Sequence, residues 1–315
     1  MSAPGRSEAL THRSAHREGA LRSSARRFDA LPYVLLSPAV LATLALGFVP
    51  MLQAVFTSLQ HNILWKPRDV RFIGLDNYLA IAQDSVAWSS LGRTLLWIGF
   101  TVPLQLLLGL VTALLLNQKF RWRGLARSLI LIPWALPSVV IALMWAWMYQ
   151  PQVGLFNDLL LRLGLVSSAV PWLAQPGTAL YAIIVALVWQ GFPFFAIMIL
   201  AGLQTIPASL YEAAAVDGAT PWQQFREVTL PGLKGVLVTA VMLRLIWVAN
   251  SIDVILVMTG GGPGYATHTL PLYAFKRTYG SMDFGYGTAL ACTFSLLLLG
   301  LIVVYLRRAG RELRQ

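Results

Sequence analysis

The chain has 315 residues, 57% of them hydrophobic and only 12% charged, with a formal net charge of +11. Soluble domains carry about 25% charged residues, so the composition excludes an ordinary water-soluble globule and points to lipid as the solvent. The positive balance invites a nucleic-acid partner, but the basic residues sit in short segments between long apolar runs, which argues against one.

Residues 1–30 are rich in Arg, Ser and Ala without a periodic apolar face and read as a disordered tail. The apolar run from Leu31 to Leu59 is too long for a cleaved leader and lacks a clear small-residue cleavage site, so it is expected to remain as a first anchor. After it, Gly74-Leu75-Asp76-Asn77-Tyr78 offers turn and cap formers ahead of a short helix on the outer side. That helix reads as interfacial and anchored by aromatics, or as a surface for an outside partner. A second span covers Leu95 to Leu116 and a third Leu129 to Tyr149. Pro133 and Pro137 interrupt the third, where neighbouring helices tolerate a kink. Trp145, Trp147 and Tyr149 close it as an aromatic belt, and Trp145, the deepest, is best placed to face a cavity. The fourth span, Ala179 to Leu203, carries Trp189-Gln190-Gly191-Phe192-Pro193-Phe194 near its middle. A buried amide needs a partner, so Gln190 meets either a neighbouring helix or a ligand, and Phe194 either packs or touches that ligand.

The polar segment Pro207 to Pro231 separates the fourth span from the fifth and reads as helix, turn, helix. Ser209 and Glu212 have capping-box spacing, and Ala213, Ala214 and Ala215 are strong helix formers. Gly218 suits a left-handed helix end, Thr220 an N-cap and Pro221 the first position of the next helix. The fifth span, Val236 to Met258, is the most polar, with Arg244, Trp247, Asn250, Ser251 and Asp253. Charges within a bilayer face a bundle interior or a watery cavity. Trp247, Asn250 and Asp253 follow at intervals of three, which spreads them over one helical face; an indole beside an amide and a carboxylate suits a sugar. Arg244 reads as paired with another helix. Thr259-Gly260-Gly261-Gly262-Pro263-Gly264 is an outer turn and no phosphate loop, since no Lys-Ser/Thr follows its glycines. The sixth span is Ala289 to Leu306.

About six spans of at least roughly 18 residues, each satisfying its own backbone, make an all-α, polytopic membrane protein. Basic residues crowd before the first span, between the second and third, beside the Glu212 loop and after the last; the opposite loops hold fewer. This asymmetry places both termini and the Glu212 loop in the cytoplasm. The organisation expected is a tail at 1–30, a transmembrane domain at 31–308 with a coupling loop at 204–234, and a cytoplasmic tail at 309–315. Cys292 is alone, and the four histidines lack metal-ligand spacing, so no metal site is expected.

The pattern Glu212-Ala213-Ala214, Gly218 and then Val228, Leu230-Pro231 resembles the EAA loop of ABC-importer permeases, with Val228 where isoleucine is commonest. Gln204-Thr205-Ile206-Pro207, Thr259-Gly260-Gly261-Gly262-Pro263 and Gly74-Leu75-Asp76-Asn77-Tyr78 are similar to segments of the carbohydrate-uptake, maltose-type branch. The resemblance covers about residue 30 to 308. It implies a type I ABC-importer permease fold in a bacterial inner membrane. It also implies a second homologous permease, two ATPase subunits that hold ATP and Mg, and an external solute-binding protein. The chain itself would bind no cofactor and catalyse no covalent chemistry. By resemblance, Glu212, Ala213, Ala214, Asp217 and Gly218 form the ATPase-coupling element, and the regions of Trp189 to Phe194 and Trp247 to Asp253 line the substrate cavity, with Trp145 a further candidate. The function expected is ATP-driven uptake of a sugar or sugar-like solute by alternating access. The alternatives are a polyol or glycerol phosphate ester as cargo, or a membrane-embedded glycosyl transferase. The last would need converging carboxylates, and Asp69, Asp76 and Asp84 are dispersed.

Overall fold

The computed structural model describes residues 31–313, with side chains from 34 to 310; the tail expected at 1–30 lies outside the described residues. The chain divides into two compact units after Gln53. The first holds α1 (Leu31–Thr43), a π-helical turn (Leu44–Phe48) and half of α2 (Val49–Ser58). Its described side chains are almost all exposed and apolar, which only a lipid solvent makes favourable.

In the second unit, a short antiparallel hairpin pairs β1 (Gln60–His61) with β2 (Arg71–Phe72). Then α3 (Asp76–Gln83) leads into α4 (Ser85–Asn117). Tyr78, expected as an interfacial anchor, instead turns inward: its hydroxyl meets Ser58 Oγ at 2.7 Å, and the Asn77 amide donates to Ser58 and Gln60 carbonyls. The third span is not one kinked helix. It is α5 (Arg123–Ala135) and α6 (Ser138–Met148), bent by 93°. Pro133 stays within α5; Pro137 makes the break, because a residue before proline is driven out of helical geometry, and Leu136 is extended at φ −75°, ψ 140°. After α7 (Leu155–Arg162), α8 (Pro176–Leu203) runs apolar on every face and is buried for most of its length, as a helix inside a bundle must be. Gly109 of α4 lets the two backbones close up, since a Cβ there would strike Phe195.

Next come α9 (Ala208–Val216) and α10 (Pro221–Gln224) in the polar loop, then a π-helical turn (Phe225–Thr229). The fifth span starts earlier than expected, as α11 (Leu230–Asn250), and breaks at Ser251 before α12 (Asp253–Met258). Finally α13 (Leu270–Phe275), a third π-helical turn (Lys276–Gly280) and α14 (Phe284–Leu313) complete the chain. Among the described residues, five helices are long and apolar enough to span a bilayer, and the bent pair α5–α6 makes six.

Helix α4 ties the bundle together through polar side chains that each reach a different element. Trp97 Nε1 donates to the Val248 carbonyl of α11 at 2.9 Å, and Thr94 Oγ1 accepts from Leu270 N of α13 at 2.8 Å. At the head of α4, Asp84 caps Val86 N and Ala87 N with one oxygen. Its other oxygen accepts from Tyr273 of α13 at 2.7 Å and Tyr286 of α14 at 2.6 Å. Burial pushes the Asp84 carboxyl up, but the hydrogen bonds from Tyr286, Tyr273, Val86 and Ala87 outweigh it and hold it below its ordinary value of 3.8. Burial first, and then the Asp84 contact, push the Tyr273 hydroxyl up to about 12.

A carboxyl with a depressed folded-state pKa stabilises fully above its unfolded value and loses that contribution as pH falls through the folded value. Asp84→Ala should therefore lower the thermal midpoint of the detergent-purified protein at pH 7, by the equivalent of about 1.5–3 kcal/mol per charged hydrogen bond lost. Below about pH 4 the difference from wild type should shrink; thermal melts across pH check both.

Candidate functional site

Helices α5, α6, α8 and α11 border a cavity of about 280 Å³ that is open on one side. Trp134 of α5, Ser138 at the start of α6, Leu187 and Gln190 of α8, and Arg244, Trp247 and Ser251 at the end of α11 line it. The Gln190 amide donates to Ser138 Oγ at 3.3 Å, so the residue spans both readings left open for it: it meets a neighbouring helix and remains in the wall. Trp247 is half-exposed. Phe194 is buried behind the wall, with its ring 5.2 Å from Trp247 and 6.3 Å from Trp134, and so backs the two indoles.

Arg244 does not pair with an acid. Its Nε donates to Gln105 Oε1 of α4 at 2.7 Å, and the Gln105 amide donates to the Leu187 carbonyl of α8 at 2.7 Å. No salt bridge joins Arg244 among the described residues. The residue is 7% exposed, and its guanidinium lies 6.0 Å from the Phe194 ring centre. Room for it comes from Gly191, where a Cβ would strike Arg244 Nη2 and Gln105 Nε2. A charge placed at the centre of a spanning helix costs about 2.5–3.5 kcal/mol on insertion scales, which marks such a residue as a functional candidate.

Three of the residues expected to line the cavity sit elsewhere. Trp145 packs in an aromatic stack, with ring centres 5.5 Å from Phe156, 5.7 Å from Tyr149 and 5.9 Å from Trp189. Asn250 shares the last turn of α11 with Trp247 but does not line the cavity, and Asp253 lies beyond the end of that helix. The Asn250 amide turns back to Ile246 O at 2.8 Å, a local bond that competes with the helical ladder. Helix α11 ends there, Ser251 becomes extended at ψ 109°, and Asp253 starts α12 exposed. Ser251 takes the wall position instead. Trp134, Ser138 and Gln105 join the site without having been expected there, while Ser251 lies within the stretch that was. Gln105 had a signal, as a lone amide in an apolar span; the others depend on where helices break.

The second candidate site is the polar loop. Helix α9 ends in a Schellman motif: Ala219 N donates to Ala214 O at 2.9 Å and Gly218 N to Ala215 O at 3.1 Å, with Gly218 left-handed at φ 77°. Thr220 and Gln223 form the capping box that opens α10, with Pro221 in its first turn. The capping box expected at Ser209 and Glu212 is absent: Pro207 precedes α9 without a side-chain cap, which leaves the Glu212 carboxylate uncommitted and exposed. Ala213, Asp217 and Gly218 are exposed as well, and Ala214 is partly covered. Tyr211 OH meets Thr229 Oγ1 at 2.9 Å and fastens the two halves of the loop. Val216 is 86% exposed and Trp222 68% exposed, the latter stacked on Phe225 at 5.5 Å.

Residues 105–309 match the family model described as "Binding-protein-dependent transport system inner membrane component". The trehalose/maltose transport system permease protein MalF of Thermococcus litoralis is 40% identical over 277 residues, 88% of this chain and 92% of its own. The sulfoquinovosyl glycerol transport system permease protein SmoG of Agrobacterium fabrum is 41% identical over 88% of this chain and 89% of its own. The diacetylchitobiose uptake system permease protein DasB of Streptomyces coelicolor is 33% identical over 91% and 88%. In fold, the chain is similar to a subunit of a bacterial ABC transporter that imports the acidic polysaccharide alginate, at TM-score 0.79 and 22% identity, over 90% of this chain and 96% of that one.

Within α8, two glycines should respond in opposite directions. Gly191→Ala forces the Gln105–Arg244 contact apart and should destabilise by about 1–3 kcal/mol. Gly177→Ala, with open space around it, should be neutral or stabilise by up to about 1 kcal/mol. Thermal melts of the two variants check this pair.

Proposed function

We propose a working mechanism for a chain that belongs to the binding-protein-dependent transport system inner membrane components, the permease subunits of ABC importers. It is a transport subunit and not an enzyme, and sugars or sugar-like solutes are its cargo. Trehalose/maltose, sulfoquinovosyl glycerol and diacetylchitobiose, named for its relatives, place that cargo class within reach of the cavity chemistry described above. Indoles offer flat faces for sugar C–H groups, and the Gln190, Ser138, Ser251 and Arg244 side chains offer partners for hydroxyls.

The loop carries the mechanism. A short helix closed at Gly218, followed at once by a capped second helix, is a stiff knob whose exposed faces include Glu212, Val216 and Trp222. Such a knob suits a groove on a partner. The chain supplies no phosphate-binding loop, so a separate pair of ATPase subunits, holding ATP and Mg, drives the cycle through this contact. Glu212, Ala213, Ala214, Asp217 and Gly218 form the contact with the ATPase. A second, homologous permease closes the open side of the cavity, and an external solute-binding protein delivers the sugar. The chain lies in the inner membrane with both termini and the loop in the cytoplasm, in keeping with its basic segments. Rigid-body rocking then opens the cavity to each side in turn.

A Cβ added at Gly218 would meet nothing within 4 Å, so a substitution there acts through the left-handed backbone and not through a clash. Gly218→Val should cut ATP-driven uptake at least about tenfold, since a misplacement of roughly 1 Å is costly where geometry couples two parts. The ATPase should still co-purify. Undiminished uptake by the variant rejects the coupling role.

A further inference from the structure

We propose that Arg244 reads the cargo directly, offering its two terminal nitrogens to a pair of adjacent oxygens on the sugar, and that Gln105 is its positioning residue. The proposal rests on the reading of the chain as a sugar permease and assigns the polar contact within it.

The geometry separates the two ends of the guanidinium. Nε is spent on Gln105 Oε1, and Gln105 is itself pinned by its bond to the Leu187 carbonyl. The head group therefore has one orientation, held from α4 and α8 while Arg244 sits on α11. Neither Nη atom has a hydrogen-bond partner among the described residues, and neither is sealed from solvent. Arg244 is nine-tenths buried, and the cavity is what its side chain lines. A residue kept only for packing would not need a charge whose terminal nitrogens lack protein partners beside a cavity.

The fixed, planar fork of an arginine takes two oxygens at once, a match that the point charge of a lysine does not reproduce. On a sugar, such a pair is either the carboxylate or sulfonate of an acidic unit or a vicinal diol. Trp247 and Trp134 stand on the same wall and supply the flat apolar faces that a pyranose ring needs. Gly191 belongs to the device because it leaves the space in which the Gln105–Arg244 contact forms.

The test is ATP-driven uptake by the full complex in proteoliposomes, with its solute-binding protein present. A panel pairs neutral disaccharides such as maltose with uronate disaccharides such as digalacturonate. Arg244→Lys should raise KM for the transported sugar roughly tenfold, the factor that one lost hydrogen bond gives, while Vmax and ATPase co-purification stay near wild type. Arg244→Gln should raise KM further. Gln105→Glu keeps an acceptor for Nε but neutralises the guanidinium. A rise in KM for uronates alone in that variant supports the acid group, and equal affinity for both sets supports the diol. Should Arg244→Gln fail to assemble, Arg244→Lys carries the test. Unchanged KM in Arg244→Lys, or a loss confined to Vmax and assembly, overturns the proposal and leaves the sugar reading intact. A wild-type complex that takes up no sugar of either set overturns the sugar reading, and this proposal with it.

Discussion

The contact between Gln105 and Arg244 is the constraint around which the bundle is arranged. A side-chain amide and a guanidinium in a membrane must each find partners, because lipid offers none. Gln105 solves this by bonding to the Leu187 carbonyl on one side and Arg244 Nε on the other, which fixes α4, α8 and α11 to one another. The crossing needs space that a side chain on α8 would fill, and Gly191 leaves it open. Trp97, which reaches Val248 O from α4, holds α4 and α11 together one step further along. Polar groups that would be a liability in lipid thereby set the register of three helices.

The cavity follows from where helices fail. Irregular backbone at membrane depth is tolerated only if it is buried in protein or lines a water-filled space. Two breaks border this cavity, one at Leu136-Pro137 between α5 and α6, the other at Ser251 after α11. Leu136, Pro137, Ser138 and Ser251 all line it. The breaks supply half-buried hydroxyls and room, while the unbroken α8 supplies Leu187 and Gln190 as a rigid back wall. Proline at 137 and the amide of Asn250 are thus responsible for the shape of the cavity as much as the residues that face it.

Much of this is legible in the sequence because long apolar runs and caps obey local rules. The six spans, the left-handed end at Gly218 and the start at Thr220-Pro221 depend on composition and on one or two residues each. The spacing of Ser209 and Glu212 fits a capping box, yet Pro207 occupies the cap position there, and the motif forms at Thr220 and Gln223 instead. Helical periodicity carries Trp247 and Asn250 on to Asp253, and so it fails where α11 ends at Asn250 and Asp253 opens a separate helix. Arg244 reads as paired with another helix, and it is, through Gln105 of α4. The partner is a neutral amide 139 positions earlier, and no local pattern announces a contact of that range. The Trp145 stack likewise depends on Phe156 and Trp189, which tertiary packing brings together.

The loop and the cavity are joined by one element. Helix α11 begins at Leu230, directly after the π-helical turn that Tyr211 fastens to α9, and it ends with Arg244, Trp247 and then Ser251 in the cavity wall. From Leu230 to Arg244 is about 21 Å at 1.5 Å per residue, so a push on the loop needs no chain of soft contacts to reach the site. It travels along a helix whose far end is tied to α4 by Trp97 and Gln105. A rotation of α11 strains those two ties first, and they are the groups that orient Arg244 and support the wall at Val248. The geometry that presents the cargo-facing nitrogens is therefore the geometry that a movement of the loop disturbs, which is the physical requirement for work done on one face of the membrane to change affinity in its middle.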